Sequence, residues 1–219
     1  MTVTSRVLNR LMRQLSKPTG NVGCLLARCM NAGHASLTNW GLGNVGIDVA
    51  HTVLDIGCGG GATIRRLAEI ATNGMVYGID YSRESVEVSR NVNRELIRRG
   101  RVKIVQAPVS QLPFPESMFD LATAIETHYF WPDLEADFQE VKRVLKPGGK
   151  LLLLAEFFKD EKYDKRNAKW VRALDMAYLS REELDALYST SGYADVRITV
   201  NEDKGWLCGV GVKSPHLSA

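Results

Sequence analysis

The chain has 219 residues, 45% of them hydrophobic and 24% charged, which is enough apolar material for a buried core and too little bias for disorder, collagen or a coiled coil. Its 28 Lys and Arg against 25 Asp and Glu leave a formal net charge of +3, a balance that does not mark a dedicated nucleic-acid binder. The four cysteines, Cys24, Cys29, Cys58 and Cys208, are too few for a disulfide scaffold and match no CxxC spacing, so a reducing, cytoplasmic setting is expected.

Residues 1–50 form a region of their own, with five basic residues (Arg6, Arg10, Arg13, Lys17, Arg28) and one acid, Asp48. Val3, Val7, Leu8, Leu11, Met12 and Leu15 recur at helical spacing and predict an amphipathic helix. Such a helix could rest on an anionic membrane or pack on its own domain; the second is the commoner use. No apolar run approaches the ~20 residues of a spanning helix, and the start lacks a secretory signal core, so no stable membrane insertion is expected. After Lys17-Pro18-Thr19-Gly20, residues 25–42 read as a second helical segment with a loop rich in Gly, Asn and Trp.

From residue 51 strands alternate with helices, which predicts βαβ units and a parallel sheet. Strands are expected at 51–56, 75–79, 102–106, 119–125 and 150–155, with helices at 61–73, 82–99 and 134–145. Pro147-Gly148-Gly149 stops the third of these helices. Ser180 with Glu183 forms a capping box that opens a helix ending near Gly192. Strands at 196–200 and 206–212 close the domain as an antiparallel hairpin, giving seven strands.

The strongest chemical signal is Val53-Leu54-Asp55-Ile56-Gly57-Cys58-Gly59-Gly60-Gly61, an apolar strand running into a glycine-rich turn. Glycines let the backbone pass close beneath a ligand, and the following helix N-terminus offers free N–H groups. Gly57, Gly59 and Ala62 also satisfy a dinucleotide-binding GxGxxG/A pattern. Asp55 argues against that ligand, because a carboxylate repels a pyrophosphate and attracts a cation. Gly78-Ile79-Asp80-Tyr81-Ser82 places Asp80 at the next strand end, where it can accept both hydroxyls of a ribose. Tyr81 beside it can pack on a purine face.

With Leu112-Pro113-Phe114-Pro115, Phe119-Asp120 and Arg143-Val144-Leu145-Lys146-Pro147-Gly148-Gly149 added in that order, the chain resembles the class I S-adenosylmethionine-dependent methyltransferases. The likeness is to the small-molecule, type 11 domain group and covers residues 51 to about 156. It implies a Rossmann-like, doubly wound α/β sheet of order 3-2-1-4-5-7-6 with its last strand antiparallel. A domain over 51–213 would carry residues 1–50 as a helical lid and 214–219 as a tail. Asp55 with Gly57 and Gly59 would hold the methionine end of S-adenosylmethionine, Asp80 with Ser82 the ribose side, and Tyr81 the adenine. Relatives often carry a Gly-Asp-Ala triplet before the LPF motif, its acid accepting from the adenine amino group. Here Ala107-Pro108-Val109 stands there, so adenine recognition would fall to Val109, Ser110 and apolar contacts.

After the fourth strand, Glu126, His128 and Tyr129 combine a carboxylate, an imidazole and a phenol within four residues, at the edge where open α/β sheets place their ligands. Each can move a proton or orient a nucleophile, and Glu126 can also touch the cofactor. His128 and Tyr129 are equally open to a structural reading as hydrogen-bonding loop residues. Further candidates are residues 30–42 as a loop closing over the cofactor, Glu156 with Phe157, and the aromatic stretch 170–178.

The function expected is methyl transfer to a small molecule, with no metal required, no nucleic-acid partner and an oligomeric state left open, a homodimer included. Two alternatives stand: an NAD(P)-dependent oxidoreductase, from the glycine pattern and an acid about 20 residues on, and a cofactor-binding module without turnover, for which Pro108 is the hint.

Overall fold

Val53, Leu54, Asp55 and Ile56 are all buried, as an apolar strand without alternation should be when helices cover both faces of its sheet. The computed structural model describes Thr19, Gly20, Gly23 and residues 33–214. The helix expected over 3–15 and residues 215–219 lie outside the described residues. In chain order the elements are α1 (Ala35–Leu42), β1 (Thr52–Ile56), α2 (Ala62–Ile70), β2 (Met75–Asp80), α3 (Arg83–Val92), α4 (Arg94–Arg98) and β3 (Val102–Gln106). They continue as β4 (Phe119–Ile125), a 3-10 turn (His128–Phe130), α5 (Leu134–Val144), β5 (Leu145–Ala155), α6 (Glu161–Leu174), α7 (Arg181–Thr190), β6 (Tyr193–Asn201) and β7 (Trp206–Lys213).

The seven strands lie in the expected order, β3-β2-β1-β4-β5-β7-β6. β1 pairs in parallel with β2 and with β4, and β7 runs antiparallel between β5 and β6. The strand order therefore reverses between β1 and β4, opening a crevice at their carboxyl ends, where such sheets bind ligands. The period-two alternation of strand side chains divides the core in two. Leu54, Ala122, Leu151 and Leu153 join one buried cluster, while Val53, Leu121, Leu152 and Leu154 join the other.

The first cluster centres on aromatic rings: Phe138 of α5 lies 5.0 Å from Tyr188 and 5.7 Å from Trp131, both edge-on. Tyr188 packs flat against β7, and a Cβ added at Gly211 would sit 2.5 Å from its ring. Here glycine in a strand interior serves close approach.

The helix Glu161–Leu174 is not expected from the sequence, and three further differences bear on the site. The helix expected over 82–99 is broken at Asn93, whose buried side-chain amide donates to Ser89 O and to Gly61 O, both at 2.9 Å. An asparagine that offers the backbone its own hydrogen bonds competes with helix continuation, and this one ties α3 to the glycine turn. The Lys146-Pro147-Gly148-Gly149 segment lies inside β5, which starts at Leu145 against Phe119 and shifts register before Leu121 pairs with Lys150. The ion pair Lys146 Nζ to Asp120 Oδ1, 2.8 Å, bridges this irregular stretch to β4. Residues 35–42 are helical, in line with the helical segment expected within 25–42 and against a loop over 30–42: Leu37 is fully buried and Gly41 abuts Leu154.

Phe138→Ala removes the shared neighbour of Tyr188 and Trp131. We expect it to lower unfolding free energy by about 3–5 kcal/mol in a denaturant titration with unchanged m-value.

Candidate cofactor and acceptor site

A cavity of about 360 Å³ fills the crevice. Its floor is the carboxyl ends of β1, β2 and β4, and its sides are the glycine turn, residues 107–109 after β3, and His34, Ala35 and Thr38 from the N-terminal segment. Of the residues singled out from sequence, Asp55, Gly57, Gly59, Asp80, Tyr81, Val109 and Glu126 line it. Ser82, Ser110, His128 and Tyr129 do not.

Asp55 ends β1 at 2% exposure. Its Oδ1 accepts the Thr123 hydroxyl over 2.7 Å, while Oδ2 has no partner among the described residues. Burial pushes its carboxyl up to about 7, with the Thr123 hydroxyl opposing and Asp80 adding to the rise. A buried acceptor left open in a cavity wall is costly unless a ligand donates to it. Gly57 adopts φ 69°, and a Cβ there would lie 2.3 Å from Thr127 Oγ1, so both backbone and space demand glycine.

Asp80 is also buried and closes the turn from the neighbouring strand. Its Oδ2 accepts from Gly59 N at 2.9 Å and its Oδ1 from Ser82 N at 2.8 Å. Burial raises its pKa, and those two N–H groups oppose the rise. Ser82 is fully buried and caps α3, accepting from Ser85 N, which is why it stays out of the cavity. Ser110 is exposed and stays out of the cavity. Pro108 and Val109 present apolar surface to the cavity opposite Tyr81.

Glu126 follows β4 in the left-handed region, φ 59°, a conformation a non-glycine residue keeps only when its surroundings hold it. Here they do: its backbone N donates to Leu154 O at 3.0 Å, and its Oε1 accepts from Glu156 N at 2.6 Å and from the Tyr129 hydroxyl at 2.9 Å. Burial pushes Glu126 up to about 8 and the Glu156 charge adds to it, against those two donors. Tyr129 is buried, and its oxygen also accepts from Phe157 N at 3.0 Å; burial followed by the Glu126 charge lifts its pKa far above the ordinary phenol value. His128 is buried behind it, pushed down to about 3 by burial, with Nδ1 unpartnered among the described residues.

Two neighbours were not assigned a role from sequence. Thr123 sits mid-strand in β4, and only the register Asp55↔Thr123 brings it to the carboxylate. Arg66 lines the cavity from α2 and reaches Ala35 O at 3.2 Å. His34, Glu126 and Glu156 converge, with one titratable atom of each within 4.8 Å of the others. That spacing would admit a cation, but one oxygen of each carboxylate is engaged, by Tyr129 and Trp206, and we read the cluster as an acid–base group.

The family described as a methyltransferase domain matches residues 54–153. A sterol 4-C-methyltransferase of Caenorhabditis elegans is 33% identical over 121 residues, 55% of this chain and 35% of that protein. A 2-phytyl-1,4-naphtoquinone methyltransferase of Nostoc punctiforme is 35% identical over 105 residues, 48% of this chain and 46% of its own length. The chain thus spans about a third to a half of these relatives. Among solved structures, a SAM-dependent methyltransferase from Aquifex aeolicus superposes with TM-score 0.72 at 19% identity, covering 87% of this chain and 98% of that one, a likeness of fold.

Glu126 supplies a test by its proton. Folded, it stays protonated up to about pH 8, whereas in the unfolded chain it ionises near the ordinary value of about 4.3. Between these values the native state binds more protons, so this group's contribution to stability falls as pH rises. Glu126→Gln keeps the acceptor oxygen and removes the charge. We expect the melting temperature of Glu126→Gln to gain on the parent between about pH 5 and pH 8.5; parallel pH profiles would contradict a raised Glu126.

Proposed function

We propose that this chain, whose residues 54–153 match the methyltransferase-domain family, is a class I S-adenosylmethionine-dependent methyltransferase that transfers a methyl group to a small-molecule acceptor. The observation that carries the reading is the open Asp55 Oδ2, buried in the wall of a cavity whose other buried acid, Asp80, holds the glycine turn.

S-adenosylmethionine, when bound, supplies a methyl group already activated on a sulfonium. Asp55 would meet its ammonium end, and the cradle at Gly57 admits its backbone-hugging portion. Each Asp80 oxygen can accept a second hydrogen bond beside the N–H it already holds, which suits a ribose diol. Tyr81, Pro108 and Val109 offer the apolar slot for the adenine, so no acid at position 108 is needed. An uncharged hydrogen bond contributes only about 0.5–1.5 kcal/mol. His34, Ala35 and Thr38 in the wall support residues 1–50 as a cover over the domain at 51–213.

The protein's task is then positioning, exclusion of water and removal of a proton. Glu126, at the cavity wall, accepts the proton that the acceptor's nucleophile releases when it is in its ionised form, which prevails above about pH 8. Tyr129 acts as a positioning residue: its hydroxyl fixes Glu126 Oε1 and is itself fixed by Phe157 N. His128 stays neutral and takes no proton in this scheme. Two buried carboxylates make the site repulsive to a dinucleotide pyrophosphate, which sets the oxidoreductase alternative aside.

Titration calorimetry with S-adenosylhomocysteine tests the reading. Asp80→Ala removes the loop brace and the diol acceptor together, and we expect at least about a hundredfold loss of affinity, two charge-assisted bonds' worth. Affinity for S-adenosylmethionine should rise with pH toward a plateau above about 7, because the cation favours ionised Asp55. Below that the fall should approach about tenfold per pH unit for one linked proton, and Asp55→Asn should flatten the profile. Binding of NADH but not of S-adenosylhomocysteine would discredit the assignment.

A further inference from the structure

A second cavity, of about 200 Å³, opens beside the first. Its walls are Glu156 and Phe157 after β5, Arg166 and Trp170 one turn apart on α6, and Lys204 and Trp206 at the β6–β7 turn. We propose that it is the acceptor subsite and takes a flat aromatic acceptor carrying an anionic group, with that group between Arg166 and Lys204. The inference rests on the methyl-transfer reading.

Several cations nearby have carboxylates: Lys162 and Arg181 share Glu202, Arg181 also reaches Asp160, and Lys159 pairs with Glu183. Among the described residues, no carboxylate lies within 4.0 Å of Arg166 or Lys204. Lys165, Lys169 and Arg172 of α6 form no ion pair among the described residues either, but only Arg166 and Lys204 line the cavity. Arg166 instead donates to neutral acceptors, Asn167 Oδ1 at 2.9 Å, Glu156 O at 3.2 Å and Lys204 O at 3.4 Å, and its guanidinium stacks 5.0 Å over the Tyr163 ring. It is thereby held rigid at the rim with its charge uncompensated, the condition in which an arginine recognises an anion.

The remaining wall is aromatic. Trp170 is 37% exposed and lines the cavity together with Phe157 and Trp206. Indole and phenyl faces are good surfaces for a planar ring.

Orientation follows from Glu156. Its carboxylate is held by Trp206 Nε1 at 2.9 Å, and its backbone N–H bonds Glu126 Oε1, so the acidic end of this cavity adjoins the first. An anionic group is repelled by the Glu156 carboxylate and drawn to the Arg166 and Lys204 charges, so the group sits at the two cations and the ring's other end faces Glu156, whose N–H is bonded to Glu126.

The test uses the full chain saturated with S-adenosylhomocysteine, so that the first cavity is filled, and two probes of one shape, 2-naphthoate and neutral 2-naphthamide, followed by calorimetry. Naphthoate should bind at least about tenfold more tightly than naphthamide. Lys204→Gln, an exposed turn position, should weaken naphthoate by about three- to tenfold while leaving naphthamide and S-adenosylhomocysteine unchanged. Trp170→Ala should weaken both naphthyl probes, with S-adenosylhomocysteine binding intact as the sign of a folded protein. Equal affinity for the two probes, or indifference of naphthoate to Lys204→Gln, would overturn the inference and leave the methyl-donor reading standing. No binding of S-adenosylhomocysteine at the outset would overturn that reading instead, and this one with it.

Discussion

Gly59 donates its backbone N–H to Asp80 Oδ2 over 2.9 Å, and the glycine turn keeps its shape through this bond between two neighbouring strand ends. Cys58 N donates to Ile79 O at 2.8 Å as well, so the turn, whose glycines restrict a chain least of all residues, is tied to β2 at two points. The same carboxylate accepts from Ser82 N, at the residue that caps α3, while Asn93 at the far end of α3 donates to Gly61 O. The turn is thus held at both edges by one helix and the aspartate that precedes it. The cost is a buried charge beside Asp55, and it shows in the raised pKa of both acids. A cationic ligand relieves that cost, so stability and recognition draw on the same two carboxylates.

Glu126 does for β4 and β5 what Asp80 does for β1 and β2. Its left-handed backbone turns the chain so that one side-chain oxygen gathers the Tyr129 hydroxyl and the Glu156 N–H. The bond from Phe157 N to the Tyr129 hydroxyl closes the network, so the segment leaving β5 is locked to the segment leaving β4. Because Glu156 and Phe157 also wall the second cavity, the two cavities share one hydrogen-bonded partition. Buried networks of this kind hold a geometry only when their members are satisfied, and Glu126 Oε1 and the Tyr129 hydroxyl both are.

Below this edge the fold is carried by aromatic packing. Trp131 lines the first cavity and rests on Phe138, which rests on Tyr188 and Tyr193 beneath the antiparallel hairpin. A continuous stack of rings therefore runs from the site to the far strands, and dense interiors transmit displacements along such contacts.

The linear sequence determined the strand count, the parallel core and the glycine turn, because period-two burial, apolar runs and turn residues are local properties that neighbouring residues express without distant partners. The succession of motifs also carried the family likeness, and with it the strand order and the positions of Asp55 and Asp80. Tertiary structure alone decided what each polar group touches. Thr123 meets Asp55 through strand register, and Tyr129 turns away from the cavity to brace Glu126. Ser82 caps α3, and Ser110 lies exposed outside the cavity. The second cavity joins Glu156, Phe157 and Trp170, which were legible as candidates, to Arg166, Lys204 and Trp206, which were not. Hydrogen-bond partners and uncompensated charges are properties of distance in space, and sequence order does not encode distance until the sheet has set its register.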